Sequence, residues 1–393
     1  MNILIYGEYF IPSIGGVQTA MEQLARGLAQ FHDADHSDGS GSFEVTVATN
    51  TPQAQMDDSK LSYRVVRKPK FWELARLVRK ADLVHLAGPC LLPMLMGCVV
   101  GKPYVVVHHG YQAVCPNGLL LKLPLQAVCT GHFMNGEYAE CFRCSSQSIG
   151  AMGGMRSLLL QFPRWWLCKR AAANVMITTH VGARLQLPRS RTIYYGIDDV
   201  KMEGGQSDPN RSGPMEFGYV GRLVAEKGLP LLLEAARHLA NSGRVFRLTF
   251  IGDGPERARL EALVRNYGLG ERVEFMGDMR GAAFEWAAGR IAVVIMPSIW
   301  EETAGLAAIE QMMRGRLVIA ADIGGLGEVV GDAGMKFVPG DWHSLAAWMG
   351  RVIDDPSLVT SFGSAARARA NKLFRRDTMI ESQIAICREV AHG

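Results

Sequence analysis

Glu302 and Glu310 stand eight positions apart in the segment Ile291 to Gly325, and that spacing limits what two carboxylates can do together. The apolar run Ile291 to Met296 predicts a buried strand, Pro297-Ser298 ends it, and Thr303 is placed to cap a helix that Gly315 stops after about Arg314. At about 1.5 Å of rise per residue the two glutamate backbones would lie roughly 12 Å apart. A retaining glycosidase needs its carboxyl pair about 5–5.5 Å apart and an inverting one about 6.5–9.5 Å, so that chemistry fits poorly. The amides of Gly305 and Leu306 open the helix, where free N–H groups and the helix dipole attract an anion, a phosphate above all. Two carboxylates flanking such an anion site suit the hydroxyls at the two ends of one extended ligand, the form of a nucleotide diphosphate sugar.

A second strand-loop-helix supplies cations where the first supplies amides. Phe217 to Val220 reads as a strand, Arg222 follows it, and Lys227-Gly228 opens the next helix. Both cations can then reach one crevice and neutralise a diphosphate. Two further clusters ask for metal chemistry. His32 to Ser42 (HDADHSDGSGS) places an Asp-Ala-Asp triplet between histidines, but its Gly and Ser content between a helix and a strand predicts a surface loop. Cys115, Cys129, Cys141 and Cys144 fall in an irregular insertion at about 111–150 that ends in a Cys-X2-Cys pair of the kind that grips zinc. A structural zinc and four free thiols are both open at this point. Cys90, Cys98, Cys168 and Cys387 lie in apolar surroundings and read as core residues.

The elements that must position these groups alternate throughout the chain. Apolar runs at Ile3 to Tyr6, Val45 to Ala48, Leu83 to Leu86, Tyr104 to Val107 and Val175 to Thr178 are separated by helical patterns. That alternation predicts a parallel sheet with helices on both faces. It stops at Val200 to Pro214, a polar Gly- and Pro-containing linker, and restarts with runs at Phe217, Arg247, Val273, Ile291 and Leu317. The expectation is an α/β architecture of two Rossmann-like, doubly wound domains facing a central cleft, residues 1–199 and 215–374 joined by 200–214. Residues 375–393 read as a C-terminal helix.

Of the 393 residues, 48% are hydrophobic and 20% charged, which excludes disordered and fibrous classes. The uncharged stretch Leu83 to Gly101 is broken by Pro89 and Pro93 and reads as strand, turn and buried helix rather than a membrane span. Met1 to Gly7 followed by Glu8 lacks the pattern of a secretion signal, so the expectation is a cytoplasmic chain with reduced cysteines. The net charge of +4 is unevenly spread. Residues 60–80 carry eight Lys and Arg against Glu73, and Ser145 to Ile197 carries seven with no Asp or Glu. Phe162-Pro163-Arg164-Trp165-Trp166 lies in the second stretch, and paired indoles among cations suit an anionic membrane surface. A solvated basic face with the Trp pair in the core is the alternative. Nucleic acid is a poorer partner, because no recognition motif accompanies the charge.

Taken together, Gly15-Gly16 after the first strand, His109-Gly110, Gly221-Arg222 with Lys227-Gly228, Gly252-Asp253-Gly254-Pro255, Glu302-X7-Glu310, and Gly324-Gly325 with Glu328 run nearly the whole chain. In this order they resemble the retaining glycosyltransferases of family 4, of GT-B fold. The resemblance implies that Arg222 and Lys227 hold the donor diphosphate, Glu310 the ribose and Glu302 the transferred sugar, with amides from Gly305 and Leu306. It implies that His109 lies by the sugar near the reacting carbon and that Gly15-Gly16 form a loop approaching donor and acceptor. It also implies front-face transfer with retention, in which the leaving diphosphate helps deprotonate the acceptor and no divalent metal is required. In GT-B proteins the last helix commonly crosses back onto the first domain, and residues 375–393 are expected to do so.

Three positions depart from the family pattern: Ala304 where an aromatic is frequent, His180 in place of Ser, and Tyr195 where Asn often precedes the glycine. These could reshape the sugar pocket while leaving the diphosphate site. Of the tandem histidines, His109 is favoured over His108 because it directly precedes the glycine. The expected activity is transfer from a nucleotide-diphosphate sugar to a lipid-linked or membrane-associated saccharide, in envelope or exopolysaccharide synthesis, on the cytoplasmic face of the plasma membrane. A nucleotide-sugar epimerase or hydrolase on the same fold, or a non-catalytic nucleotide-sugar-binding protein, is the alternative. A nicotinamide-dependent oxidoreductase fits less well, because no Gly-X-Gly-X-X-Gly follows the first strand.

Overall fold

The computed structural model describes residues 1–13, 15–31, 43–53, 56–123, 127–199 and 213–392. The His32 to Ser42 segment and residues 200–212 of the linker lie outside them. The chain divides into two compact units, one of Met1–Leu125, Cys129–Gly196 and Arg375–Gly393, the other of Gln126–Val128 and Ile197–Phe374.

In the first unit seven strands form one parallel sheet: β1 (Asn2–Gly7), β2 (Glu44–Thr49), β3 (Arg64–Arg67), β4 (Leu83–Ala87), β5 (Tyr104–His108), β6 (Ala173–Met176) and β7 (Ser190–Thr192). Their spatial order is β3-β2-β1-β4-β5-β6-β7. Helices on both faces bury the central strands completely, which is why Ile3-Leu4-Ile5 and Val105-Val106 read as continuous apolar runs rather than alternating ones. The edge strands β3 and β7 (RVVR and SRT) carry no such run, and the sequence reading passed over them. The run Val175 to Thr178 is shifted: the strand starts at Ala173, and Thr178 leaves it to cap the helix Thr179–Leu185 by accepting the Val181 amide at 3.3 Å.

Leu83 to Gly101 folds as β4 and the helix Leu91–Val99. Among the described residues no helix is long and apolar enough to cross a membrane. The helix Gly16–Gln30 buries Ala20, Met21, Leu24, Ala25 and Leu28, apolar positions three or four apart. Each fully buried Leu there contributes about 2 kcal/mol of transfer free energy. The C-terminal helix Arg376–His392 belongs to this unit, where Gln383 Oε1 lies 3.1 Å from Nε2 of the buried His85 on β4. The insertion is less irregular than expected: Cys141 and Cys144 lie in the first turns of a long helix, Tyr138–Arg170, broken at Gly150 where φ is 73°.

The second unit repeats the plan with β8 (Met215–Val220), β9 (Phe246–Ile251), β10 (Val273–Gly277), β11 (Val293–Met296), β12 (Leu317–Ala321) and β13 (Met335–Phe337). All pair in parallel, in the order β10-β9-β8-β11-β12-β13. Phe217, Leu248, Phe250, Val293, Ile295 and Ile319 lie at the centre of its core, each fully buried. The strand order reverses between β8 and β11. In such sheets ligands bind beyond the carboxyl ends of the strands at that reversal.

Candidate active site

The loops that leave β8 and β11 are the two that the sequence singled out, and the reversal of strand order brings them side by side. Ile299, beyond β11, donates its amide to Glu226 O at 3.0 Å, which ties the loops together. After β8 the chain is also held against the loop that follows β9: Gly221 N bonds Ile251 O at 3.0 Å and Leu223 N bonds Asp253 O at 2.9 Å. The approach is so close that a Cβ at Gly252, where φ is +133°, would stand 2.0 Å from Gly221 O. Only glycine fits there. The Tyr219 hydroxyl donates to Arg222 O at 2.8 Å and fixes the turn from inside, leaving the Arg222 side chain exposed.

Lys227 lies in a short 3-10 turn, Ala225–Lys227, rather than at the first position of a helix; the helix proper is Leu229–Asn241. Its Nζ sits 2.9 Å from Glu302 Oε1, with the two side chains 17% and 6% exposed. The same carboxylate accepts a hydrogen bond from the buried Ser298 hydroxyl. The resemblance gave Lys227 to the diphosphate and Glu302 to the sugar. The structure joins them in one ion pair, because a carboxylate this deeply buried is stable as a charge only with a cation and a donor against it.

The following helix is Leu306–Met313, and Gly305, at φ 75°, is the residue that turns the chain into it. Thr303 does not cap it, a departure from the sequence expectation: the helix starts two residues later than a Thr303 cap would require. The first amide of the helix to find a carbonyl is that of Ala308, which donates to Gly305 O at 2.8 Å, so the amides of Gly305, Leu306 and Ala307 have no intrahelical acceptor. Glu310 is half-buried further along the helix, and burial raises its carboxyl above the ordinary range, with Arg314 opposing the shift and Glu285 adding to it. Arg314 itself is paired with Glu285. Burial likewise lowers the Arg316 guanidinium to about 10, with the neighbouring Arg314 acting in the same direction.

In the first unit, Gly15 and Gly16 open the helix Gly16–Gln30, with Thr19 N bonded to Gly15 O at 3.1 Å. The two tandem histidines have different surroundings. His108 ends β5 fully buried, its Nε2 2.8 Å from Asn174 Oδ1, and burial pushes its imidazole down to about 4. His109 lies beyond the strand and lines a cavity with His85, Val107, Tyr195, Met379 and Gln383. Its Nδ1 is 2.7 Å from the Tyr195 hydroxyl. Burial, then His108 and His85, push its imidazole down to about 3, so it is neutral at ordinary pH. The sequence reading passed over the partners Ser298, Asn174 and Gln383. The signal that could have flagged part of this was a histidine inside each of two apolar strands, since a buried imidazole needs a polar partner.

Of the two readings left open for the cysteine insertion, a structural zinc is not supported. The four cysteines line one cavity together with His132, and none of them is in a disulfide. Asn117 stands between two of them: Cys115 Sγ donates to its Oδ1 at 2.9 Å, and its Nδ2 donates to Cys144 Sγ at 3.2 Å. Burial, and then Cys115, Cys129 and Cys144, raise the Cys141 thiol to about 12, which keeps it protonated. Among the described residues no group of three or more His, Cys, Asp or Glu side chains is placed to hold a metal ion.

The chain matches the family described as glycosyl transferases group 1 over residues 206–369. It is 37% identical over 344 residues to a 2-deoxystreptamine glucosyltransferase of Streptomyces kanamyceticus, covering 80% of this chain and 85% of that protein. With a 2-deoxystreptamine N-acetyl-D-glucosaminyltransferase of Streptomyces fradiae it shares 32% identity over 407 residues, 92% of this chain and 91% of the other. Among solved structures it is similar to Anabaena HepE in complex with UDP, with a TM-score of 0.73 at 17% identity over 99% of this chain and 100% of that one. The sucrose-phosphate synthase of Thermosynechococcus elongatus gives a TM-score of 0.72 at 20% identity, covering 99% and 98% of the two chains. These structures share its GT-B fold of two parallel-sheet α/β domains, and with two relatives matched over most of their length the chain belongs to the group 1 glycosyltransferases.

Proposed function

We propose that this glycosyltransferase moves a hexosyl unit from a nucleoside diphosphate sugar, UDP-linked in the first instance, to a saccharide hydroxyl held at an anionic membrane surface. Transfer proceeds with retention and without a divalent metal. The observation that carries the donor half is the Lys227–Glu302 ion pair at the reversal of strand order, which joins the loop that carries Arg222 to the segment leading into the helix Leu306–Met313. In this reading Arg222 and Lys227 neutralise the diphosphate as it leaves, the amides of Gly305 and Leu306 bind its oxygens, Glu310 accepts from the ribose, and Glu302 accepts from the sugar. His109 and the Gly15-Gly16 turn serve the sugar and the acceptor. The HepE structures, solved with UDP and with UDP-glucose, support the choice of nucleotide to try first.

The membrane half rests on exposed groups of three neighbouring helices of the first unit. Trp72 is 78% exposed at the start of the helix Phe71–Lys80, and Leu95 and Val99 are exposed on the helix Leu91–Val99 packed beside it. The long helix packs against Leu91–Val99 in turn and exposes Met152 and Leu159. Arg76, Arg79 and Lys80 stand on the first of these helices, so apolar and cationic groups are mixed as an anionic bilayer surface requires. The indole pair contributes less than the sequence reading gave it. Trp165 packs on Phe133 under the Lys169 ammonium, and Arg170 covers the half-exposed Trp166 at 4.0 Å. Peripheral association with the cytoplasmic face of the plasma membrane follows from this reading.

A second acceptor is favoured by the names of the two relatives matched over most of their length, both transferases to 2-deoxystreptamine: a small soluble aminocyclitol. One experiment tests donor and acceptor together. The full chain is screened by thermal shift against UDP, GDP, ADP and their hexose conjugates, with Lys227→Ala and Glu310→Ala beside it. The nucleotide that raises the midpoint is then supplied as labelled sugar conjugate to membrane lipid extract and to 2-deoxystreptamine. A shift with UDP that both variants weaken, and label in the lipid fraction, is expected. No shift with any nucleotide sinks the donor site, and label in the aminocyclitol alone replaces the membrane acceptor by the soluble one.

A further inference from the structure

His109 and Tyr195 meet in the cavity of the first unit with their rings nearly parallel, centroids 5.6 Å apart and planes 10° from each other. The Nδ1 to hydroxyl distance of 2.7 Å suits either direction, but Nδ1 is the one hydrogen-bond partner of the buried Tyr195 hydroxyl among the described residues, and a buried O–H that does not donate is costly. Burial holds the Tyr195 hydroxyl well above the usual phenol range, so it keeps its proton. A neutral imidazole has one N–H and one bare nitrogen, and the partner at one nitrogen settles where the proton sits. Ile5, Met21, Val107 and Ile193 line the same cavity as the pair. His108 cannot take over, because its ring is in the interior against Asn174.

The geometry points to Tyr195 as a positioning residue: its hydroxyl donates to His109 Nδ1 and keeps the imidazole proton on Nε2, making His109 a fixed hydrogen-bond donor rather than a base. This deepens the reading above, on which His109 lies beside the transferred sugar, and rests on it. An Nε2–H donor suits a sugar hydroxyl oxygen, which accepts in its lone pair. It does not remove a proton from the acceptor, so that step falls to the departing diphosphate, as in the proposed retaining mechanism. Tyr195 stands where the family pattern often has Asn, so this orientation of the histidine is set by the chain's own residue.

The test begins without any ligand. Long-range proton–nitrogen correlation on the full chain with labelled histidine reports which ring nitrogen of His109 carries the proton, with His85 and His108 as internal references. The expected result is Nε2 protonated and Nδ1 bare throughout about pH 5 to 8, and in Tyr195→Phe a loss of that preference. With UDP-glucose as probe and UDP release as readout, Tyr195→Phe should lower kcat about tenfold with KM within about twofold. A glutamine amide can mimic an Nε2–H donor and an asparagine an Nδ1–H, so His109→Gln should retain more activity than His109→Asn. A wild-type His109 with Nδ1 protonated, or a Tyr195→Phe variant with the wild-type tautomer, overturns the role of Tyr195 and leaves the placement of His109 standing. The expected tautomer together with full activity in His109→Ala overturns the placement instead.

Discussion

Replacing Lys227 by methionine keeps most of its aliphatic stem and removes the ammonium 2.9 Å from Glu302 Oε1. At an effective dielectric of ~20, charges at that distance attract by about 6 kcal/mol. The desolvation of both groups offsets much of that gain, and what the variant exposes is a carboxylate with a side chain 6% accessible and only the Ser298 hydroxyl left against it. Breaking such a pair on one side costs ~3–5 kcal/mol when it is fully buried, and Lys227 is 17% exposed, so ~3 kcal/mol is the working figure. For a unit of this size that corresponds to a Tm lower by roughly 6–12 °C. Glu302→Gln alone leaves the less buried partner unpaired and should cost less. The double variant Lys227→Met/Glu302→Gln removes both charges, and it should recover at least ~1 kcal/mol of the summed single losses. Calorimetry and urea unfolding of the four full-length proteins close the cycle. A coupling below ~0.5 kcal/mol, or a Lys227→Met variant as stable as wild type, would show that the pair is not held as described.

Other expectations follow from the same geometry. Gly252→Ala places a methyl 2.0 Å from Gly221 O at a φ of +133°, so the variant should lose several degrees of Tm and its thermal response to nucleotide, whereas Gly268→Ala, with open space around it, pays only the strain of its positive φ. His85 and His108 are pushed down to about 4 by burial, while unfolded histidine titrates near 6.5. Between those values the unfolded chain binds more protons, so stability is complete above about pH 6.5 and is lost as pH falls toward 4. Each histidine should contribute on the order of 2 kcal/mol of that loss by pH 5, and urea midpoints that stay level from pH 7 to pH 5 would refute it. Trp72→Glu with Leu95→Glu changes residues 78% and 47% exposed, so Tm should hold while sedimentation with anionic vesicles at low salt falls about tenfold. Equal sedimentation of variant and wild type would remove those groups from the membrane proposal.

Where the sequence was legible, it was legible through periodicity. Continuous apolar runs at Ile3, Val105 and Val293 marked strands covered on both faces, and a run of that kind needs no knowledge of its neighbours to be recognised. The glycines and glutamates around Gly221 and Glu302 were recognisable because turns and helix starts demand particular residues at particular offsets. The edge strands Arg64–Arg67 and Ser190–Thr192 were missed for the converse reason: they are short, partly solvated, and identified only by the strand beside them. The helix that carries Cys141 and Cys144 was missed because Gly150 and a mixed polar face break its period.

By itself the sequence determined two sheet-and-helix domains, the loop that joins Pro297 to a helix start, and the presence of carboxylates and cations at the ends of strands. Tertiary structure alone decided which of these groups meet. Parallel order β10-β9-β8-β11-β12-β13 puts the loops after β8 and β11 together, and so makes Lys227 and Glu302 one ion pair instead of two independent ligands. It also gave the adjacent histidines different partners, Asn174 for His108 and Tyr195 for His109, and it set an asparagine between two cysteines for which spacing had left a metal and free thiols both open. The physical reason is common to all three. Burial is encoded locally, by the pattern of apolar residues along the chain, whereas a polar partner far away in sequence is selected by strand order and by which buried group would otherwise lack a hydrogen bond.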